Sequence, residues 1–164
     1  MKKKSILAAC LFLLVCFTAC SSYKPIYNSS NVLFVIIDYS IKGDKKLGTK
    51  IYSKLLNISK YNKNNPSAKS IKISIETSKE KKVTVKNSAG KNMEYKISLN
   101  VFVTIEDYLT DKLLLNQNLN YSSSYKVQKL HSETVKLEKK TTENLIEQIY
   151  EDLLIRITEN ISAK

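Results

Sequence analysis

The stretch IKISIETSKEKKVTVKNSAGKNMEYKISLNVFVTI, residues 71–105, decides the fold. Its apolar side chains fall on odd-numbered positions and its polar ones mostly on even-numbered positions. Such alternation with a period of two predicts two strands that each bury one face. The odd-numbered set is Ile71, Ile73, Ile75, Val83, Val85, Met93, Tyr95, Ile97, Leu99, Val101, Val103 and Ile105.

The turn between these strands follows from the same pattern. Buried face must meet buried face, so the numbers of paired residues must sum to an even value. A three-residue loop, residues 88–90, satisfies this if Gly90 adopts the left-handed conformation. Asn87 then pairs with Lys91, Val85 with Met93, and Val83 with Tyr95.

A third strand follows a polar corner at residues 107–112. Leu113, Leu115, Leu119, Tyr121, Tyr125 and Val127 continue the odd-numbered pattern, against asparagines and serines at even positions. Extending the even-sum rule pairs Ile105 with Leu113, and therefore Asn92 with Lys126. The hairpin register also places Lys82 opposite Lys96 and Lys86 opposite Asn92.

Upstream of the hairpin the chain predicts a strand and a helix. The run VLFVII, residues 32–37, is apolar without alternation, which indicates a strand covered on both faces. Gly43 and Asp44 then supply a stop and an N-cap. Leu47, Ile51, Leu55 and Ile58 recur at helical spacing, so a helix is expected over about residues 45–57, followed by a loop at 61–69.

The chain ends in a long helix starting near Ser132, a candidate cap. Its apolar stripe comprises Val135, Thr142, Leu145, Ile146, Ile149, Leu153, Ile157 and Ile161, with the charged residues elsewhere. The element order is therefore β-α-β-β-β-α. Both helices need an apolar surface, and the odd-numbered sheet face offers one. This predicts an α+β two-layer sandwich: a four-stranded, mostly antiparallel sheet with two helices on one face.

The pattern of the N-terminal residues predicts an export signal. Lys2, Lys3 and Lys4 precede an apolar run at residues 6–17, which is shorter than the roughly 20 residues of a membrane-spanning helix. Thr18-Ala19-Cys20 then resembles the bacterial lipobox, although Phe17 stands where leucine is preferred. Cys10 follows too little apolar sequence, and Cys16 follows the bulky Val15. An ordinary secretory cut near Ala19 is the alternative to lipidation of Cys20.

These features divide the chain into a signal peptide (1–19), a lipidated cysteine with its tether (20–31) and a single domain (32–164). All three cysteines lie in the leader region, so the domain has no thiol for a disulfide or a metal. The net charge is +12 for the whole chain and about +9 without the three leader lysines. Such a positive charge suits an anionic partner. Export argues against nucleic acid.

The predicted register gathers lysines on the exposed sheet face. Lys82, Lys86, Lys96 and Lys126 would cluster near one end, and Lys79, Lys81 and Lys91 would flank them. Several charge-assisted contacts to a phosphate are one reason for such a cluster. A solvated face in a lysine-rich protein is the other, and the sequence leaves both open.

Tyr23-Lys24-Pro25-Ile26-Tyr27, soon after Cys20, adds a family resemblance. An aromatic, a basic residue, proline, an apolar residue and tyrosine in this place, together with the order of elements, resemble the lipopolysaccharide-assembly lipoprotein LptE of the alphaproteobacterial type. The resemblance implies an outer-membrane lipoprotein, anchored by Cys20 at the periplasmic face, that plugs an LptD-like β-barrel and binds lipopolysaccharide. The alternative is a periplasmic lipoprotein that regulates a cell-wall synthase.

Nothing in the sequence indicates an enzyme. His131 is the only histidine and is expected to be exposed near a helix start. The three glycines provide no nucleotide loop, and no catalytic triad or metal-binding spacing can be assembled. No cofactor and no metal site are therefore expected.

Overall fold

The computed structural model describes residues 33–162. Its elements are β1 (Phe34–Gly43), α1 (Lys45–Tyr61), β2 (Lys69–Lys86), β3 (Asn92–Asp107), β4 (Leu113–Lys126) and α2 (His131–Ser162). The strands form one sheet in the order β1-β2-β3-β4. β1 runs parallel to β2 and the other pairs are antiparallel. The predicted sandwich is confirmed; the leader, Cys20 and the tether lie outside the described residues.

The core lies between the helices and the odd-numbered sheet face, as the alternation predicts. Most of the odd-numbered apolar side chains of β2 and β3 are buried there, and α1 and α2 cover them with their apolar stripes. The buried set from the strands is Phe34, Ile71, Ile73, Ile75, Ile97, Leu99, Val101, Val103, Ile105, Leu115, Leu119 and Tyr125.

The start of α1 is fixed by Gly43 and Asp44. Gly43 has a φ of 76°, and a Cβ on it would lie 2.0 Å from the carbonyl oxygen of Thr77. Only glycine fits this approach of two backbones. The carboxylate of Asp44 accepts a hydrogen bond from the backbone N–H of Leu47 at 3.0 Å, which is the predicted N-cap.

The prediction that β1 is covered on both faces is wrong. Phe34 is buried, but Ile37 is 48 % exposed and the strand extends to Gly43 with mostly exposed side chains. The pairing with β2 shifts between Ile36 and Asp38. A bulge of this kind lets an edge strand bend. The backbone N–H of Ile36 donates to the side-chain oxygen of Ser59 at 2.9 Å.

The β2–β3 hairpin confirms most of the predicted register. The backbone N–H of Asn87 donates to the carbonyl of Lys91 at 3.0 Å, Gly90 has a φ of 75°, and Val83 opposes Tyr95. The pairing of Val85 with Met93 is wrong, because the register shifts there and Val85 opposes Glu94.

β4 lies two residues away from its predicted register. Ile105 opposes Leu115 rather than Leu113, and Lys126 opposes Glu94 rather than Asn92. An even-sum rule is satisfied by either pairing, so alternation alone does not choose between them.

α2 begins at His131, and its apolar stripe packs against β4 and β3. His131 is exposed, as predicted. Ser132 lies inside the first turn rather than capping the helix. The side-chain oxygen of Thr134 instead accepts a hydrogen bond from the backbone N–H of Gln128 at 2.9 Å. Val135 is 49 % exposed and does not belong to the core.

The β2–β3 hairpin reaches beyond β1. The pairing of β1 with β2 ends where Gly43 opposes Thr77, whereas β2 continues to Lys86. In the part of the chain that the structure describes, no strand pairs with this outer edge of β2. No helix among residues 33–162 is long and apolar enough to span a membrane.

Candidate ligand-binding site at the hairpin end of the sheet

The hairpin end of the sandwich comprises the last residues of β2 and the first residues of β3, with the end of β4 beside them. On its outward face Lys82 opposes Lys96, as predicted. Lys86 opposes Asn92, also as predicted, but beyond a register shift, and the Asn92 side chain donates to Tyr95 Oη at 3.0 Å. Lys126 opposes Glu94. Lys91 is exposed beside the turn. The predicted lysines Lys82, Lys86, Lys91, Lys96 and Lys126 are thus brought to one end of one sheet.

Two carboxylates lie among these lysines. Lys82 Nζ is 2.8 Å from Glu80 Oε1, an exposed pair of small energetic weight. Glu94 accepts a hydrogen bond from Thr84 Oγ1 at 2.9 Å. Across the residues that the structure describes, no ion pair engages Lys86, Lys91, Lys96 or Lys126. The outward face therefore keeps unpaired positive charge.

The same end also carries exposed aliphatic side chains. Val83, which opposes Tyr95, is 39 % exposed. Val85 and Met93 lie at the register shift, where Val85 opposes Glu94, and they are 47 % and 41 % exposed. The helices end their cover before this part of the hairpin. The hairpin end therefore presents both lysines and exposed aliphatic side chains.

Lys79 and Lys81 do not extend the lysine face. They stand on odd positions, so they point toward α2, where Glu138 binds both. Lys81 Nζ lies 2.6 Å from Glu138 Oε2, and Lys79 Nζ lies 3.4 Å from Glu138 Oε1. The expectation that these lysines flank the patch is wrong, because the pleat sends them to the other face of the sheet.

Two tyrosines complete this inward cluster. Tyr125 Oη donates to Glu138 Oε2 at 2.9 Å, and the ring of Tyr95 stacks on that of Tyr125 at 5.8 Å. The ammonium of Lys81 lies 4.3 Å from the ring centroid of Tyr95, within cation–π range. Glu138 thus contacts the sheet, although it lies outside the apolar stripe predicted for this helix.

The protonation of the cluster follows from these contacts. The hydrogen bond from Lys81 holds the pKa of Glu138 below its usual value, against the opposing effect of burial. Burial would lower the pKa of Lys81, but the bonds to Glu138 and Tyr125 outweigh it and raise that pKa. Both shifts favour a charged pair at neutral pH.

A groove between the helices opens near this cluster. Its volume is about 440 Å³, with Leu47, Val135 and Ile146 among its lining residues. Its charged rim is largely neutralised within the protein, because Lys50 lies 3.5 Å from Glu143 and Glu138 binds Lys79. The groove is thus less suited to an anion than the outward face of the hairpin end.

Residues 33–162 contain no group of three or more His, Cys, Asp or Glu side chains placed to hold a metal ion. Sequence reasoning found the five lysines of the outward face. It missed the inward cluster, although the odd numbers of Lys79 and Lys81 signal that both point toward the helices.

The arrangement defines a class of small α+β domains with two helices on one face of a four-stranded sheet. Lipoprotein B from Nitrosomonas europaea has a similar fold, with a TM-score of 0.56 and 14 % identity over 79 % of this chain and 86 % of that one. A minor lipoprotein from Acinetobacter baumannii gives a TM-score of 0.52 and 17 % identity over 77 % and 94 %. A lipoprotein from Caulobacter crescentus gives 0.53 and 9 % over 77 % and 92 %.

The chain therefore has the fold of these lipoprotein structures, and the fold that the resemblance in the sequence implies is confirmed. No family model matches the sequence. No curated protein matches it either.

Proposed function

We propose that this protein is a non-enzymatic outer-membrane lipoprotein, anchored through Cys20, that joins an LptD-like β-barrel and binds lipopolysaccharide. The observation that carries the proposal is the composition of the hairpin end. Lipopolysaccharide combines phosphates with acyl chains, so its chemistry matches lysines and exposed aliphatic side chains gathered at one end of the sheet. The LptE-like fold supports the same assignment.

The phosphates are assigned to the outward lysines. Lys82 and Lys96 oppose each other across β2 and β3. Like charges directly opposite one another destabilise a strand pair, by an amount comparable to the roughly 0.2–1 kcal/mol of a favourable pair. A bound phosphate removes that repulsion and gains charge-assisted hydrogen bonds from both lysines. Lys86, Lys91 and Lys126 add further positive charge nearby.

The acyl chains are assigned to the exposed aliphatic side chains of the hairpin end. Val83, Val85 and Met93 are left partly open to solvent by the helices. Apolar surface buried against acyl chains contributes about 25 cal/mol per Å². An amphiphile bound at the hairpin end would contact both kinds of side chain, whereas a simple anion would use only the lysines.

Charge reversal tests the phosphate assignment. The double variant Lys82→Glu with Lys96→Glu is compared with Lys136→Glu and Lys139→Glu, two exposed lysines on α2 with the same change in charge. Binding of fluorescent lipopolysaccharide to the purified mature protein should weaken at least about tenfold in the hairpin variant and far less in the control. Equal weakening in both would reduce the lysine face to a solvated surface.

The partner is tested by purification from outer membranes. A stable complex with a large β-barrel supports the proposal. Recovery of a peptidoglycan synthase instead would favour the alternative, a lipoprotein regulator of cell-wall synthesis. Depletion of the protein should also reduce surface lipopolysaccharide and assembly of the barrel, and unchanged levels of both would contradict the proposal.

A further inference from the structure

The opposite end of the sandwich, called the proximal end, is where the chain enters the domain. The starts of β1 and β2, the β3–β4 turn and the end of α1 meet there. The backbone N–H of Lys69 donates to the carbonyl of Leu33 at 3.0 Å, and that of Tyr108 donates to Ser70 at 3.0 Å. The side chain of Asn62 donates to the carbonyl of Phe34 at 3.5 Å.

The proximal end displays large apolar side chains. Tyr61 is 91 % exposed, Leu109 81 %, Leu113 52 % and Tyr108 46 %. Their exposure is held by the turn. The carboxylate of Asp107 accepts hydrogen bonds from the backbone N–H groups of Leu109 at 3.0 Å and Thr110 at 3.1 Å. Leu109 therefore stands at the tip of an ordered turn, where the protein itself offers it no cover.

Basic residues surround these apolar side chains. The segments that meet at this end carry four lysines and two aspartates. They are Lys60, Lys63, Lys69, Lys112, Asp107 and Asp111. Lys69 pairs with Asp107 at 3.7 Å, which leaves a small positive excess. Exposed leucine and tyrosine beside lysine is the composition that proteins place at the boundary between lipid headgroups and acyl chains.

The distance to the predicted anchor favours a lipid surface as the partner. Thirteen residue steps separate Cys20 from Leu33, a span of at most about 45 Å when fully extended. β2 has 18 residues and is therefore about 55 Å long, and the hairpin turn lies beyond its far end. A lipid on Cys20 thus keeps the proximal end within about 45 Å of the bilayer and allows the hairpin end to stand farther away.

We propose that the proximal end is a second membrane contact, in which Tyr108, Leu109 and Leu113 enter the headgroup layer beside the lipidated cysteine. Lys63 and Lys112 face the phosphates of anionic phospholipids. The contact fixes the orientation of the domain, with the hairpin end directed away from the bilayer. The inference rests on the proposed function only in its use of a lipid on Cys20.

Tryptophan fluorescence tests this contact, because the chain contains no tryptophan. Leu109→Trp is compared with Ala89→Trp, which lies in the exposed turn at the hairpin end. The full mature lipidated protein is reconstituted into phosphatidylethanolamine–phosphatidylglycerol vesicles with brominated acyl chains. Emission from position 109 should shift to the blue and be quenched at least about threefold more than emission from position 89. Equal quenching at both positions, or none at 109, would overturn the proposal.

The remaining outcomes separate this inference from the proposed function. Quenching at position 109 without a co-purifying β-barrel would support the lipid contact and contradict the proposed barrel partner. Protein that floats with vesicles but shows no quenching at 109 keeps the anchor and overturns the contact. Protein that does not float overturns both. Protection of position 109 only when a barrel is present would assign the surface to that protein and overturn the lipid contact.

Discussion

At the level of single residues, Glu138 joins the two layers of the sandwich where the core ends. Its carboxylate lies on α2 and reaches Lys79 and Lys81 on β2 and Tyr125 on β4. Each of these partners would otherwise place a polar head at the border of the apolar core. One carboxylate therefore satisfies three strand residues that alternation alone would assign to apolar side chains.

We expect the Glu138 cluster to make stability depend on acid pH. The pKa of Glu138 is lowered in the folded protein, so its contribution is present above the unfolded value near 4.5 and is lost as pH falls through the folded pKa. Glu138→Gln should cost about 1–3 kcal/mol at pH 7 and flatten the dependence of Tm on pH below about 4.5. Thermal melts between pH 3 and pH 7 check this.

The matched control is Glu133→Gln, an exposed carboxylate in the first turn of the same helix. It should leave the shape of the curve nearly as in the wild type. Parallel curves for Glu138→Gln and the wild type would show that the cluster does not couple to folding.

At the level of elements, alternation and turn chemistry predict the hairpin almost to the residue. Gly90 takes the left-handed conformation and Lys82 opposes Lys96, because pleat and turn geometry are local. The solvent exposure of Val83 and Val85 could not be predicted. These valines follow the same pattern as the core, and only the position of α2 over the sheet determines which odd-numbered residues it buries.

The predictions of the β4 register and of the burial of β1 are wrong for related reasons. Moving Leu115 into the place predicted for Leu113 keeps every side chain on its face, so the pattern cannot detect a shift of two residues. An apolar run such as residues 32–37 predicts a strand that is buried on both faces. The bulge after Ile36 and the position of β1 at the sheet edge arise from tertiary contacts.

The apolar stripe of α2 yields a prediction that separates sequence from structure. Ile149 is fully buried, whereas Val135, in the same predicted stripe, is 49 % exposed. Ile149→Ala should lower the free energy of unfolding by about 2–5 kcal/mol through lost packing and a cavity. Val135→Ala should cost less than about 1 kcal/mol. Urea denaturation measures both, and similar losses would mean that α2 covers the sheet farther than described.

At the level of the whole molecule, the anchor is a prediction of the sequence that one substitution tests. Cys20→Ser should move the exported protein from the membrane fraction to the soluble periplasmic fraction. Cys10→Ser and Cys16→Ser should leave it on the membrane, because too little apolar sequence precedes Cys10 and the bulky Val15 precedes Cys16. Fractionation with globomycin treatment checks this, and release by Cys10→Ser or Cys16→Ser would contradict the assignment of the lipid to Cys20.

The outer edge of β2 beyond Thr77 has a further consequence for the behaviour of the protein in solution. A bare strand edge is a template on which a second molecule can add a strand and start aggregation. Residues 78–86 include Lys79, Lys81, Lys82 and Lys86, so any strand docking here must bring lysines from two molecules together or bury them without water. The same lysines therefore act as gatekeepers that keep neighbouring molecules apart at this open edge.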